Sequence, residues 1–286
     1  MPTAPLDVSS TARATTAAPW RTPALLVLGA ALLVGLIGPW IAPHDPLAIP
    51  ADLGQHSLGP STAHWLGTDP LGRDIASRML AGARYTLGVA TAALLLAAVV
   101  GMSIGSLSAL LPPSGERLLL RVVDTGAAVP RVVVLIAALG FAGTATPWVL
   151  IGLLGTVSWF ELARLVHRSL RRQLAEDRVS AARALGVGRV RLLTSHLLPQ
   201  VVGVFVVWAS AEFGQLILAE TGLSFLGLGV PAPLPSWGRV LLETGDVFGS
   251  ARWLLLGPGV VITLTVSAAF SVADRLADEP PPARRL

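Results

Sequence analysis

Cysteine is absent from all 286 residues, and so is lysine: each of the 21 basic side chains is arginine. Without cysteine the chain forms no disulfide, no thiolate metal site and no cysteine nucleophile. Without lysine it cannot carry a standard phosphate-binding P-loop, whose lysine reaches the terminal phosphates. Histidine is scarce. His44, His56, His64, His167 and His196 form no HExxH pair, which argues against a zincin helix. Charge is scarce too: 13% of residues are charged, about half the fraction of a soluble domain. With 53% hydrophobic residues and a net charge of +4, the composition is that of an integral membrane protein in a lipid bilayer. Most arginines lie between apolar runs, which marks a topology signal rather than a nucleic-acid footprint, and no nucleic-acid partner is expected.

Uncharged runs dominate what is present. Residues 22–43 carry no charge and are long enough to cross a bilayer as the first transmembrane helix. A signal peptide would have a shorter apolar core and a small-x-small cleavage site, so this span is read as retained. Residues 1–21, rich in Ala, Thr, Ser and Pro, read as a disordered cytoplasmic tail. Residues 44–83 read as an extracytoplasmic loop with turns. Ile75–Tyr85 forms an amphipathic lead-in to a second span within the uncharged residues 85–115, which stops at Pro112-Pro113.

The next stretch is ambiguous until the arginines are counted by side. One span would put Arg117 and Arg121 opposite the eight arginines of 164–191. Two spans, 122–142 and 147–167, turning at Gly143-Thr-Ala-Thr-Pro147, return both basic loops to one face. Asp124 and Arg131 then fall in the third span, where they must sit near an interface or inside the bundle. Span five is expected at 200–219 and span six at 253–273; Leu223–Trp237 between them is too rich in Gly and Pro for a straight transmembrane helix. The expected architecture is all-α, with six transmembrane helices, a transmembrane domain over 84–274 and a second cytoplasmic tail at 275–286. With both termini cytoplasmic, fifteen arginines lie inside and five outside, with Arg131 in a span.

The polar stretch after span four holds helix-forming Ala181, Ala182, Ala184 and Leu185. Ser180 is a candidate N-cap and Gly186 a candidate left-handed stop. A second helix is expected after Gly188, with Val190, Leu193 and Leu197 on one face, ending at Pro199. By pattern alone this is a basic amphipathic segment on a membrane surface. Its spacing also resembles the "EAA" loop of ABC importer permeases: an Ala-Ala pair, Gly186 four residues after the second Ala, and Leu198-Pro199 thirteen residues beyond Gly186. Ser180 stands where that family usually has Glu. His64-Trp-Leu-Gly-Thr-Asp-Pro-Leu-Gly-Arg-Asp74, continuing to Arg84, closely resembles the signature before the second span in C-type subunits of dipeptide/oligopeptide (peptide/nickel) permeases. Arg121-Val-Val-Asp124 with Pro130, Trp159-Phe-Glu-Leu-Ala-Arg164, Glu220–Gly229, Pro235-Ser-Trp-Gly238, Pro258-Gly259 and Asp274-Arg275 extend the resemblance over most of the chain.

The resemblance implies a type I ABC importer permease fold in a bacterial cytoplasmic (inner) membrane. It implies a homologous permease partner, two ATPase subunits and an extracytoplasmic solute-binding protein. No cofactor is expected in this chain, with ATP and Mg on the partner ATPases. A coupling loop over 168–199 would dock the ATPase through Ser180, Ala181, Ala182, Arg183, Leu185, Gly186, Leu198 and Pro199. Without the Glu, docking would lean on Arg183, Leu185 and backbone packing. Related permeases carry di- and oligopeptides, nickel or metallophore complexes, and haem.

Glu212 is conspicuous without any resemblance, because an ionisable group inside a span belongs in the bundle interior or along a water-filled path. Gln215 lies on the same face, and with Glu220 these form the candidate translocation path, favouring a cationic or amine-bearing solute. Pairing of Glu212 with an Arg of a neighbouring helix is the alternative. Trp159 and Trp237 could equally be interface anchors, and Gly227 and Gly229 turn or packing residues. Two other classes stay open: a passive channel or scaffold, and an intramembrane hydrolase using Ser158, Ser210 or Ser267, for which no convergent base is visible.

Overall fold

A computed structural model describes residues 21–52, 54, 56–143, 145–245 and 253–278. Parts of both expected tails, 1–20 and 279–286, lie outside the described residues. Helices dominate those described, with α1 Arg21–Ile41, α2 Ile75–Leu110, α3 Pro113–Ala128, α4 Arg131–Ala142 and α5 Pro147–Leu174 in the first half. Then come α6 Asp177–Ala184, α7 Arg189–Leu192, a π-helical turn Leu193–Leu197, α8 Leu198–Phe225, α9 Trp237–Gly245 and α10 Trp253–Asp278.

Helix α2 is the spine. Its 36 residues reach about 54 Å, well beyond the roughly 30 Å of bilayer hydrocarbon. The lead-in Ile75–Tyr85 is therefore the first turns of α2 itself, and the expected loop closes at Asp74. That residue caps the helix by accepting the Ser77 N–H at 2.8 Å. Pro112 and Pro113 stop the far end, since neither can donate the next helical bond.

The main contact of α2 is with α5, and it is built from small residues. Ala90, Ala93, Ala97, Gly101 and Gly105 follow one stripe of α2, with the three alanines fully buried. A Cβ added at Gly105 would lie 2.6 Å from the Ala163 carbonyl oxygen and 2.8 Å from Val166 Cβ. Glycine there lets the two backbones approach. Gly105→Val should therefore destabilise the bundle by about 1–3 kcal/mol through overpacking. Gly88→Val, at a position with open space around it, should be neutral. Thermal aggregation in detergent checks this, and equal midpoints for the two variants would refute the contact.

The expected third span, 122–142, is not one straight helix. Helices α3 and α4 meet at an 82° bend. Pro130 lacks the N–H a continuing helix needs and holds Val129 extended, at φ −81° and ψ 129°. Among the described residues, five helices are individually long and apolar enough to cross a membrane, and a sixth crossing exists only if the bent pair counts as one. The turn expected at Gly143–Pro147 is present. Gly143 ends α4 in the left-handed conformation (φ 70°), and Thr146 caps α5, which has Pro147 in its first turn.

Among the described residues, a small apolar cluster joining α1 to α10 and two large ones hold the bundle. One joins α2, α4, α5, α8, α9 and α10 around Ile75, Leu135, Leu150, Ile217 and Trp237. The other gathers Leu162, Val166, Leu170, Val179, Leu192, Leu197 and Trp208, fastening the α6–α7 segment to α2, α5 and α8. Helix α1 packs outside, against α2 and α10.

Candidate functional site

The α6–α7 segment is a stiff projection with a fixed base and an open tip. Val179 is buried, and Ala182 and Val187 pack beside it in the second cluster. Gly186 ends the helix at φ 82°, while Val187 N–H donates to Ala182 O at 3.1 Å and Leu185 N–H to Ala181 O at 3.1 Å. The six-to-one bond and the Val187–Ala182 packing are those of a Schellman stop. Leu185, immediately before the stop, is 85% exposed. Arg178 holds the base, pairing with Glu176 at 2.6 Å and donating to Gln200 Oε1 at 2.5 Å.

Two expectations change here. Ser180 is not the N-cap, because α6 begins at Asp177 and Ser180 sits exposed inside it, its N–H directed at Glu176 O. Asp177 supplies the first-turn acid that suits the helix dipole. Nor does the second helix end at Pro199. Pro199 lies in the first turn of α8, where a missing N–H costs little, and the π turn passes the chain into α8 almost without a break. Ala181, Leu198 and Pro199 remain partly or fully accessible, and the Arg183 side chain lies outside the described set.

Glu212 is 1% exposed and faces a neighbouring helix. Arg131, the first residue of α4 after the Pro130 bend, donates to Glu212 Oε1 at 2.7 Å and lies 3.5 Å from Glu161 Oε2. Glu212 Oε2 has no hydrogen-bond partner. Glu212 and Gln215 line two adjoining cavities, of about 1110 and 290 Å³, and Arg131 lines the smaller one. Glu220 lines neither. It is fully buried and accepts from Ser224 Oγ at 2.7 Å.

The opposite end of the bundle carries a charge knot that sequence reading missed. Arg73 and Arg78 both donate to Glu243 Oε2, at 2.6 and 2.5 Å, although they lie 170 and 165 residues from it. Arg73 also pairs with Asp69 at 2.7 Å, and Arg239 with Glu243 Oε1 at 2.8 Å. Both Arg73 and Arg78, counted earlier as loop charges, are buried. The local hints were two i,i+4 spacings, Asp69 with Arg73 and Arg239 with Glu243. Trp237 is not an interface anchor: it is 1% exposed, and its indole N–H donates to Met79 O at 3.0 Å. The knot and Trp237 together lock α9 onto the first turns of α2.

A serine–base pair that sequence reading did not find also emerges. Ser108 Oγ lies 2.9 Å from His167 Nδ1, and His167 Nε2 lies 3.4 Å from Glu116. Yet Ser108 is 1% exposed, and its hydroxyl donates to Gly105 O at 2.8 Å. A hydroxyl so committed has no open face toward a substrate, so the group ties α2 to α5 and α3.

Comparison with known proteins gives consistent matches. Residues 99–278 match the family model described as binding-protein-dependent transport system inner membrane component. The nickel transport system permease protein NikC of Escherichia coli K12 is 34% identical over 255 residues, covering 89% of this chain and 91% of that protein. The di/tripeptide transport system permease protein DppC of Pseudomonas aeruginosa is 32% identical over 261 residues, covering 89% and 85%. Among solved structures, an inward-facing MetNI methionine ABC transporter superposes with TM-score 0.54 at 18% identity, over 68% of this chain and 92% of that one.

Proposed function

The chain belongs to the family of binding-protein-dependent transport system inner membrane components, as a multi-pass permease of an ABC importer of the peptide/nickel kind, and from that premise we propose how it works. It pairs with a homologous permease to form a path for peptides or a related small solute delivered by an extracytoplasmic binding protein. Two separate ATPase subunits engage the α6–α7 projection from the cytoplasm, and both termini lie on that side. The observation that carries this reading is the projection itself: a short capped helix on a buried base, presenting an exposed leucine at its tip. A stiff element can transmit rotation of a docked domain to α5 and α8, whereas a slack loop cannot. Alternating access then follows from nucleotide binding and hydrolysis on the partners.

Glu212 and Gln215 line the path in this reading. The Arg131 pairing changes the expected solute preference, because the path presents an ion pair rather than a lone carboxylate. The test is ATP hydrolysis by the chain co-assembled in vesicles with its partner permease and two ATPases. Loaded binding protein should raise the rate several-fold over the empty form. A rate indifferent to binding proteins loaded with peptides, nickel chelates and haem alike would overturn the reading.

A further inference from the structure

Three pieces of chain converge beside the charge knot: His44 just after α1, His64 in the loop, and Asp74 capping α2. His64 Nδ1 lies 2.9 Å from Asp74 Oδ1, and His44 Nδ1 lies 3.7 Å from Asp74 Oδ2. The imidazole centroids are 4.9 Å apart, and one donor atom from each of the three residues falls within 4.8 Å of the others. Ligands of one tetrahedral ion stand roughly 3.3–3.5 Å apart when bonds are about 2.0–2.1 Å. Closing from 4.8 Å to that spacing requires the side chains to draw in by roughly 1–1.5 Å.

We propose that His44, His64 and Asp74 form a binding site for one divalent transition-metal ion, zinc or nickel in class, that clasps the end of α1 to the start of α2. Two imidazoles and a carboxylate suit borderline ions and leave magnesium and calcium poorly served.

The surroundings are those of a prepared site. Ser77 donates to Asp74 Oδ2 from its backbone N–H at 2.8 Å and from its hydroxyl at 2.6 Å. The same hydroxyl accepts the His44 N–H at 3.0 Å. One serine therefore orients the carboxylate and fixes the backbone of a histidine ligand, as outer-shell groups do in metal sites. Asp74 and His64 form a closed floor, with 2% and 17% side-chain exposure, while His44 is 44% exposed. That open side admits a water molecule as fourth ligand. An ordinary N-cap requires Asp74 and Ser77 alone, and gives no reason for two imidazoles to gather there. On binding, His64 gives up its Nδ1 bond to Asp74, with its proton moved to Nε2.

This site is independent of the transport reading. Equilibrium dialysis of the full-length chain in nanodiscs against zinc, and separately nickel, tests it, with bound metal measured by mass spectrometry. The intact chain should retain one ion per molecule that excess magnesium does not displace. His44→Ala should weaken retention at least ten-fold, and His64→Ala should do likewise. The His44 side chain is half exposed, so its removal leaves the fold intact and keeps the comparison informative if His64→Ala fails to fold. X-ray absorption of the bound ion should show two imidazoles in its shell. No retained ion, or one held equally by the intact chain and His44→Ala, would overturn the proposal.

Discussion

Leu185→Asp is expected to abolish ATPase co-purification and solute-driven hydrolysis while the chain inserts and packs as before. The separation of effects follows from exposure. Leu185 is 85% exposed and lies outside the buried clusters, so its replacement removes nothing from the fold. Docked in an ATPase groove, the leucine would bury most of its side chain, worth roughly 1.5–3 kcal/mol. An aspartate in the same groove forfeits that and adds the cost of an unpaired buried carboxylate, at least about 1–3 kcal/mol more. The sum corresponds to an affinity loss on the order of a hundred-fold or more. Leu185→Met, close in volume and apolar, should retain most of the binding. Leu197→Asp provides the contrast: that side chain is 1% exposed in the second cluster, and its change should lower the yield of folded protein itself. Wild-type ATPase recovery with Leu185→Asp would remove the tip from the docking surface and the coupling proposal with it.

The features readable in advance were those set by nearby residues. Uncharged length located the long apolar helices because the bilayer makes every charge within a span expensive. Gly186 marked its left-handed stop because a side chain there clashes with its own backbone, and Gly143 marked the turn between α4 and α5. Glu212 announced itself by lying where an ionisable group needs a reason. What failed were positions where one local signal competed with another. Ser180 looked like a cap, but Asp177 three residues earlier begins the helix. Pro130 was in plain view, yet counting arginines by side speaks to the number of crossings and is blind to a bend within one. The Arg73–Glu243 and Arg78–Glu243 pairs were out of reach for a different reason. Nothing within a few residues of Arg73 or Arg78 indicates a carboxylate more than 160 residues away. Only the packing of α9 onto α2, through Trp237 and the close approach of Gly82 to Ser236, brings it there.

The Arg131–Glu212 pair is the second place where a single substitution should act strongly, and its two ends should not be equivalent. Arg131 opens α4, at the positive end of that helix's dipole, which disfavours a cation. Carboxylates on α8 and α5 offset this, Glu212 at 2.7 Å and Glu161 at 3.5 Å. Arg131→Ala strands Glu212, 1% exposed, without its cation, a loss of roughly 3–5 kcal/mol. Glu212→Gln should cost less, because Arg131 is about a third exposed and keeps both water and Glu161 within reach. The double variant Arg131→Ala/Glu212→Gln should therefore be more stable than Arg131→Ala alone, an inversion that additive effects cannot produce. Heat denaturation of the three purified variants in detergent reads the order. A double variant less stable than Arg131→Ala by the full cost of Glu212→Gln would show that the pair is not coupled. Transport then separates structure from path. A double variant that recovers its fold but not uptake assigns the pair to the solute route, since Glu212 and Gln215 line the cavities. Recovery of both reduces the pair to a clamp that holds the start of α4 against α8.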